Sequence, residues 1–395
     1  MPEANLDPNV AKNVQPVELL PTDGPLSKPK PGMALCLSGG GYRAMIFHLG
    51  TLWRLNELGM MKGLAKVSSV SGGSITAGAL GLSWNKLNFN AAKIATNLEE
   101  LVVNPIRSLA GTTIDRGSII KGILLPRRSV ADEVAEAYRE HLFGNATLQD
   151  LPADTEGPRF VINATNVQTK VLWRFSRPFM GDYRVGLIKN PVAELAVAVG
   201  ASSAFPPFLS PATLKLNPAD FDPATKGDLQ REPYTSEVVL TDGGVYDNLG
   251  LETAWKSYET ILISDGGGAT SDEPKPKSEW LEHIYRVLGI INNQVGSLRK
   301  RQAIGSYQLG LRKGAYWGMR TNILDYKLPT AMNCPHAQTM VLAGTATRLK
   351  ALDGTLQERI INWGYAVADA AIRTHVDPSA PPPAGFPYPA AGLGE

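Results

Sequence analysis

Two short turns and one glycine loop hold the residues of this chain that could do covalent chemistry. The loop is Ser38-Gly39-Gly40-Gly41-Tyr42-Arg43, the first turn Ser69-Val70-Ser71-Gly72-Gly73, the second Asp242-Gly243-Gly244-Val245. Glycines let backbone N–H groups crowd around an anion with no Cβ in the way. Ser71 has small residues on both sides, as a serine needs when strand and helix meet closely at a strained nucleophile turn. Ser68, Ser69 and Ser74 are rival hydroxyls without that spacing. The N–H of Gly72, together with those of Gly39, Gly40 and Gly41, could stabilise an oxyanion. A carboxylate within hydrogen-bond reach, and partly desolvated, could take the serine proton. Asp242 suits that role. Asp265, in Asp265-Gly266-Gly267-Gly268, has a similar setting, and the pattern alone leaves both open. No histidine adjoins either turn, so the spacing points to a Ser–Asp dyad rather than a triad.

The glycine loop admits other readings. Arg43 stands in the first turn of the helix it opens and could pair with a phosphate. Alternatively, Gly39-x-Gly41-x-x-Ala44 with Glu57 downstream fits a relaxed dinucleotide fingerprint, which would make the chain an oxidoreductase. Glu57 lies within the helical pattern instead of at the end of a second strand, which counts against that fingerprint. His48 reads as a packed helix residue, and no histidine or cysteine spacing suggests a metal.

The elements that must position these residues alternate between apolar strands and helical patterns, as a parallel sheet requires. Strands are expected at Met33–Leu37, Lys66–Val70, Phe160–Ile162, Val238–Leu240 and Thr260–Ile263. Helices are expected at Arg43–Leu58, Gly73–Leu82 and Leu356–Ile372. A further helix is expected at Pro191–Val199, with Asn190 as cap and Pro191 at its first position. Each chemical motif falls just past a strand, where open α/β sheets place their sites.

The chain has 395 residues, 43% of them hydrophobic, enough for a sizeable core. Its 39 basic and 37 acidic residues leave a net charge of +2, which gives no reason to invoke nucleic acid. Two cysteines fit a reducing, cytoplasmic compartment, and neither a signal peptide nor a membrane-spanning run is evident. Residues 1–32 read as an irregular arm, 33–375 as one catalytic domain and 376–395 as a Pro/Ala/Gly-rich tail. Residues 102–128 mix apolar groups, arginines and glycines, which suits a lid or a lipid-facing surface as well as an ordinary solvated segment.

Together, Ser38–Met45, Ser69–Ser74, Gly200-Ala-Ser-Ser-Ala-Phe-Pro-Pro-Phe208 and Asp242–Leu249 resemble the patatin-like phospholipase family and its cytosolic phospholipase relatives. The resemblance covers roughly residues 33–270. It implies a three-layer α/β/α sandwich with a mostly parallel central sheet. It also implies a lipid acyl hydrolase with Ser71 as nucleophile and Asp242 as base, because the Asp242 turn continues into Val245 and Asn248 as the family's does. Gly39–Gly41 becomes the oxyanion loop and Arg43 the residue that meets a substrate phosphate. No cofactor is implied. The implied partner is a phospholipid or other lipid ester, met at the surface of a membrane. A non-catalytic lipid-binding module of the same fold is the remaining alternative. The chain departs from the family pattern at Ser69, where the elbow usually has glycine.

Overall fold

The computed structural model describes residues 29–114, 129–268 and 272–394. Most of the expected arm, and the second half of the expected lid, lie outside them. In chain order the strands are β1 (Lys30–Leu37), β2 (Leu64–Val70), β3 (Arg159–Asn166), β4 (Val171–Phe175), β5 (Phe179–Asp182), β6 (Gly186–Lys189), β7 (Ala212–Lys215), β8 (Glu237–Asp242), β9 (Tyr258–Asp265) and β10 (Lys313–Gly318). The helices are α1 (Gly41–Glu57), α2 (Gly72–Ser83), α3 (Asn104–Ala110), α4 (Val130–Tyr138), α5 (Leu195–Ser202), α6 (Gly244–Asp247), α7 (Glu252–Trp255), α8 (Trp280–Gln308), α9 (His336–Ala343) and α10 (Gly354–His375).

The sheet runs β10-β9-β1-β2-β3 in parallel, then continues through β4, β5 and β6 in antiparallel pairs. Successive residues of a strand point to opposite faces. Along β1, Leu35 and Leu37 join the core that contains α1, α2 and α10, while Ala34 and Cys36 join a smaller cluster with Leu251, Ala254 and Ala303. Both faces of the sheet are therefore covered, which makes the three layers that the sequence led us to expect. Gly50 of α1 and Gly364 of α10 let those helices cross closely: a Cβ at Gly50 would stand 2.1 Å from the Ile361 carbonyl oxygen. Buried Arg54 of α1 is tied to buried Asp369 of α10 at 2.8 Å.

The expected strands are all present, several a few residues longer than their apolar runs. Three of the expected helices are present within two or three residues at each end. The fourth is displaced. The helix is α5, Leu195–Ser202, with Glu194 at its N-cap position and no side-chain cap, and Asn190 adopts a left-handed φ of 45° before it. Pro191 thus belongs to the connection, and the Asn-Pro cap signal marks a turn instead. The described part of the lid segment is core, since Val102, Val103, Ile106, Leu109 and Ile114 are buried. The tail packs as irregular chain on α10, with Tyr388 and Asn362 exchanging hydrogen bonds of 2.8 and 3.0 Å.

The feature that builds the site is a branch at β3. Its first half pairs with β2, ending at Val70 opposite Asn163. Its second half, on the same edge, pairs antiparallel with β8, beginning at Asp242 opposite Ala164. The C-terminal ends of β2 and β8 therefore meet head to head at adjacent positions of one strand.

Candidate active site

Ser71 follows the last residue of β2 and caps α2 with φ 51° and ψ −122°. A non-glycine residue in that region carries strain of about 1–3 kcal/mol and persists only where its surroundings dictate it. The surroundings are tight. A Cβ on Gly72 would stand 2.2 Å from the Gly41 carbonyl oxygen, and one on Gly73 would stand 2.4 Å from that of Leu37. Only glycine fits at either position. The departure at Ser69 is absorbed inside the strand, where its buried hydroxyl lies 3.0 Å from Ser74 Oγ.

Asp242 ends β8 and is buried. The Gly244 N–H donates to its Oδ1 at 2.7 Å. Burial pushes its pKa up to about 7, against the opposing pulls of the Gly244 N–H and of a side-chain hydrogen bond with Ser71. The head-to-head strand ends thus bring a hydroxyl onto a carboxylate that changes charge near neutral pH. Such a carboxylate can accept a proton at pH 7 and return it.

Asp265, the other candidate, is committed elsewhere. It accepts hydrogen bonds from the Tyr316 hydroxyl at 2.6 Å, the Gly267 N–H at 2.9 Å and the Ser38 hydroxyl at 3.3 Å. It pins the glycine loop to β9. His48 lies buried beneath the same loop, donating from Nε2 to the Ser38 carbonyl at 2.9 Å, with Nδ1 2.9 Å from Ser264 Oγ. Burial lowers its pKa to about 4, so it is neutral and packed, as its sequence context suggested.

The glycine loop lies against the elbow, with the Cβ position of Gly39 3.1 Å from Ser71 Cβ. One expected oxyanion donor is withdrawn: the Gly39 N–H donates to the Asn248 carbonyl at 3.0 Å. Among the described residues, the N–H groups of Gly40, Gly41 and Gly72 meet no protein acceptor. Gly41 and Gly72 are the first residues of α1 and α2, where helical geometry leaves amides without partners and positive in potential.

Arg43 also departs from its expected role. Its side chain is 2% exposed. It donates to the Gly266 carbonyl at 3.1 Å, to Thr347 Oγ1 at 2.8 Å and to the Thr345 carbonyl. The same segment covers the loop, since the Tyr42 N–H donates to the Arg348 carbonyl at 3.0 Å. Arg43 is a clamp between the glycine loop and residues 345–348 in this structure, with its guanidinium spent on protein oxygens. The dinucleotide reading fails on geometry as well. Glu57 lies at the end of α1, before β2, and accepts from Arg54 at 3.0 Å and the Tyr365 hydroxyl at 2.5 Å. It is nowhere near the end of a second strand.

Sequence reasoning missed the polar support under the elbow. Asn163 of β3, fully buried, donates to the Ser69 carbonyl at 2.9 Å and to Ser68 Oγ at 3.0 Å. Asn163 also heads a glycosylation triplet, a surface signal that its burial overrules. The Ser71 N–H donates to Ser202 Oγ at 2.9 Å. A polar cavity of about 110 Å³ beside Asn248, lined by Asp265, Gly268 and Asn292 among others, includes neither Ser71 nor Asp242.

A family profile described as Patatin-like phospholipase matches residues 35–255, more than half of the chain. The chain belongs to the patatin-like phospholipase family. Its fold is similar to that of human GIVD cytosolic phospholipase A2, with 11% identity, a TM-score of 0.51, and coverage of 86% of this chain and 61% of that one. The chain thus spans less than two thirds of that protein's length. VipD from Legionella pneumophila aligns over 87% of this chain and 67% of its own, at 15% identity and a TM-score of 0.35. No curated protein matches by sequence. Among the described residues, no helix is long and apolar enough to cross a membrane, and no cluster of His, Cys, Asp and Glu could hold a metal ion.

Proposed function

We propose that this patatin-like protein is a lipid acyl hydrolase that cleaves carboxylic esters with Ser71 and Asp242 as a dyad. One observation carries the reading: the meeting ends of β2 and β8 put the Ser71 hydroxyl in hydrogen-bond contact with the buried Asp242 carboxylate. Family membership supports it independently. Ser71 Oγ attacks the ester carbonyl carbon while its proton passes to Asp242. The carbonyl oxygen takes up the negative charge within reach of the Gly40, Gly41 and Gly72 amides. Collapse expels the alcohol, which leaves with the proton held on Asp242, and Ser71 is left acylated. Asp242 then takes a proton from water, the hydroxide attacks the acyl carbon, and the fatty acid departs as Ser71 recovers its proton.

The substrate class is lipid esters, phospholipids of the A-type cleavage included. Because Arg43 is occupied, a phosphate head group has no assigned contact. The enzyme works at a membrane surface as a peripheral protein of a reducing compartment, a setting that suits the two buried free cysteines, Cys36 and Cys334. Residues 33–375 act as one catalytic domain, with the tail serving as packing for α10. A fluorophosphonate probe is expected to label the protein, and Ser71→Ala to abolish both the label and hydrolysis of a lipid ester panel. Undiminished labelling of that variant would refute the assignment.

A further inference from the structure

We infer that Ser202 is a positioning residue, whose hydroxyl and carbonyl fasten the Ser71 elbow and the Asp242 turn to one segment and so set the distance between nucleophile and base. The inference rests on the dyad proposed above and adds what holds its two halves in register.

The strained Ser71 backbone has one anchor for its amide, and that anchor is a side chain. The Ser71 N–H donates to Ser202 Oγ at 2.9 Å. Ser202 Oγ in turn donates to the Asn163 carbonyl at 2.7 Å. An amide can only donate and a carbonyl can only accept, so the group between them must do both. A hydroxyl meets that demand; a methyl or an ammonium does not. Ser74 Oγ, 2.9 Å away, completes the surroundings of a side chain with no exposed surface.

The same segment holds the other half. The Gly243 N–H points at the Ser202 carbonyl at 3.4 Å, the Asp242 N–H donates to the Ala204 carbonyl at 2.9 Å, and Thr241 Oγ1 donates to that carbonyl at 2.9 Å. Strands β2 and β8 have no direct pairing; each reaches the other only through β3. Strand register therefore brings Ser71 and Asp242 to neighbouring levels. The Ser202–Ala204 segment, crossing from one turn to the other, fixes the gap that remains. Positioning of this kind matters because a misplacement of about 1 Å can cost on the order of a hundredfold in rate.

Three variants test this in the full-length protein. Ser202→Ala is expected to lower kcat by roughly a hundredfold with KM within about threefold. Its acid limb of kcat/KM should move to higher pH, because a hydroxyl drawn away from Asp242 no longer favours the charged carboxylate. Ser74→Ala, which loses bonds in the same polar cluster but leaves the Ser71 amide anchored, should keep the wild-type pH profile and most of kcat. Ser202→Cys keeps the volume with a weak donor and acceptor, and should fall between; it carries the test if the alanine variant does not fold. An unchanged kcat and pH limb in a folded Ser202 variant overturns the inference while leaving the dyad standing. Equal losses in Ser202→Ala and Ser74→Ala, with no shift of the limb, also overturn it. Wild-type protein without Ser71-dependent turnover overturns both.

Discussion

Replacing Asp242 with asparagine should make this protein more stable at alkaline pH while removing its activity. In the fold the carboxyl titrates near 7 instead of 3.8, because burial penalises the charged form. A raised pKa means that the neutral acid is the form the fold favours. Its contribution is fully present below the unfolded value and is lost as pH rises through the folded one. The shift is about three units, and at about 1.4 kcal/mol per unit the ionised Asp242 costs up to about 4 kcal/mol at pH 9. Asparagine is neutral at every pH and nearly the same shape, and its carbonyl can still accept the Gly244 N–H. Urea unfolding of Asp242→Asn and wild type between pH 3.5 and 9 measures the difference directly. The two should be close below pH 4, diverge through pH 5–7, and differ by a few kcal/mol at pH 9 with the variant the more stable. Activity should run the other way: wild-type kcat/KM rises about tenfold per pH unit below 7 as the base form appears. A variant no more stable at pH 9, or a gap that does not vary with pH, would refute the claim that Asp242 is desolvated and held near neutrality.

Two further substitutions separate support from chemistry. Arg43→Lys should destabilise the protein by about 1–3 kcal/mol, since a lysine cannot serve three oxygens in that planar arrangement, and calorimetry would register it. A large rise in KM for phospholipid with stability unchanged would return Arg43 to substrate contact. His48→Gln should keep kcat within about tenfold while lowering the melting temperature, because the ring links Ser38 and Ser264 rather than relaying a proton. Loss of turnover as complete as in Ser71→Ala, in a folded variant, would mean that the histidine takes part in the reaction.

Residue type and spacing alone determined a good deal. Small residues on both sides of Ser71 specify a close strand–helix turn, and the space around Gly72 and Gly73 explains why nothing larger fits. Alternating apolar runs specify the parallel strands, while the three layers came as an implication of the family resemblance. The turn and the strands are local properties, carried by a residue and its near neighbours, and so they are legible in a linear chain. The choice between Asp242 and Asp265 was of another kind. Both follow apolar strands and both precede glycines. The family resemblance favoured Asp242 through Val245 and Asn248; the physical difference is that β8 enters the sheet antiparallel at the branch on β3, bringing Asp242 to the level of Ser71, while Asp265 is occupied by Tyr316 and the glycine loop. Arg43 and Gly39 likewise carry promising side-chain and backbone donors, yet the acceptors that claim them lie more than two hundred positions away at Gly266, Thr345 and Asn248. A sequence states which hydrogen-bonding groups exist and what local conformation each can adopt. Only the folded chain decides which partners reach them first, and therefore which donors, acceptors and charges remain free to act on a substrate.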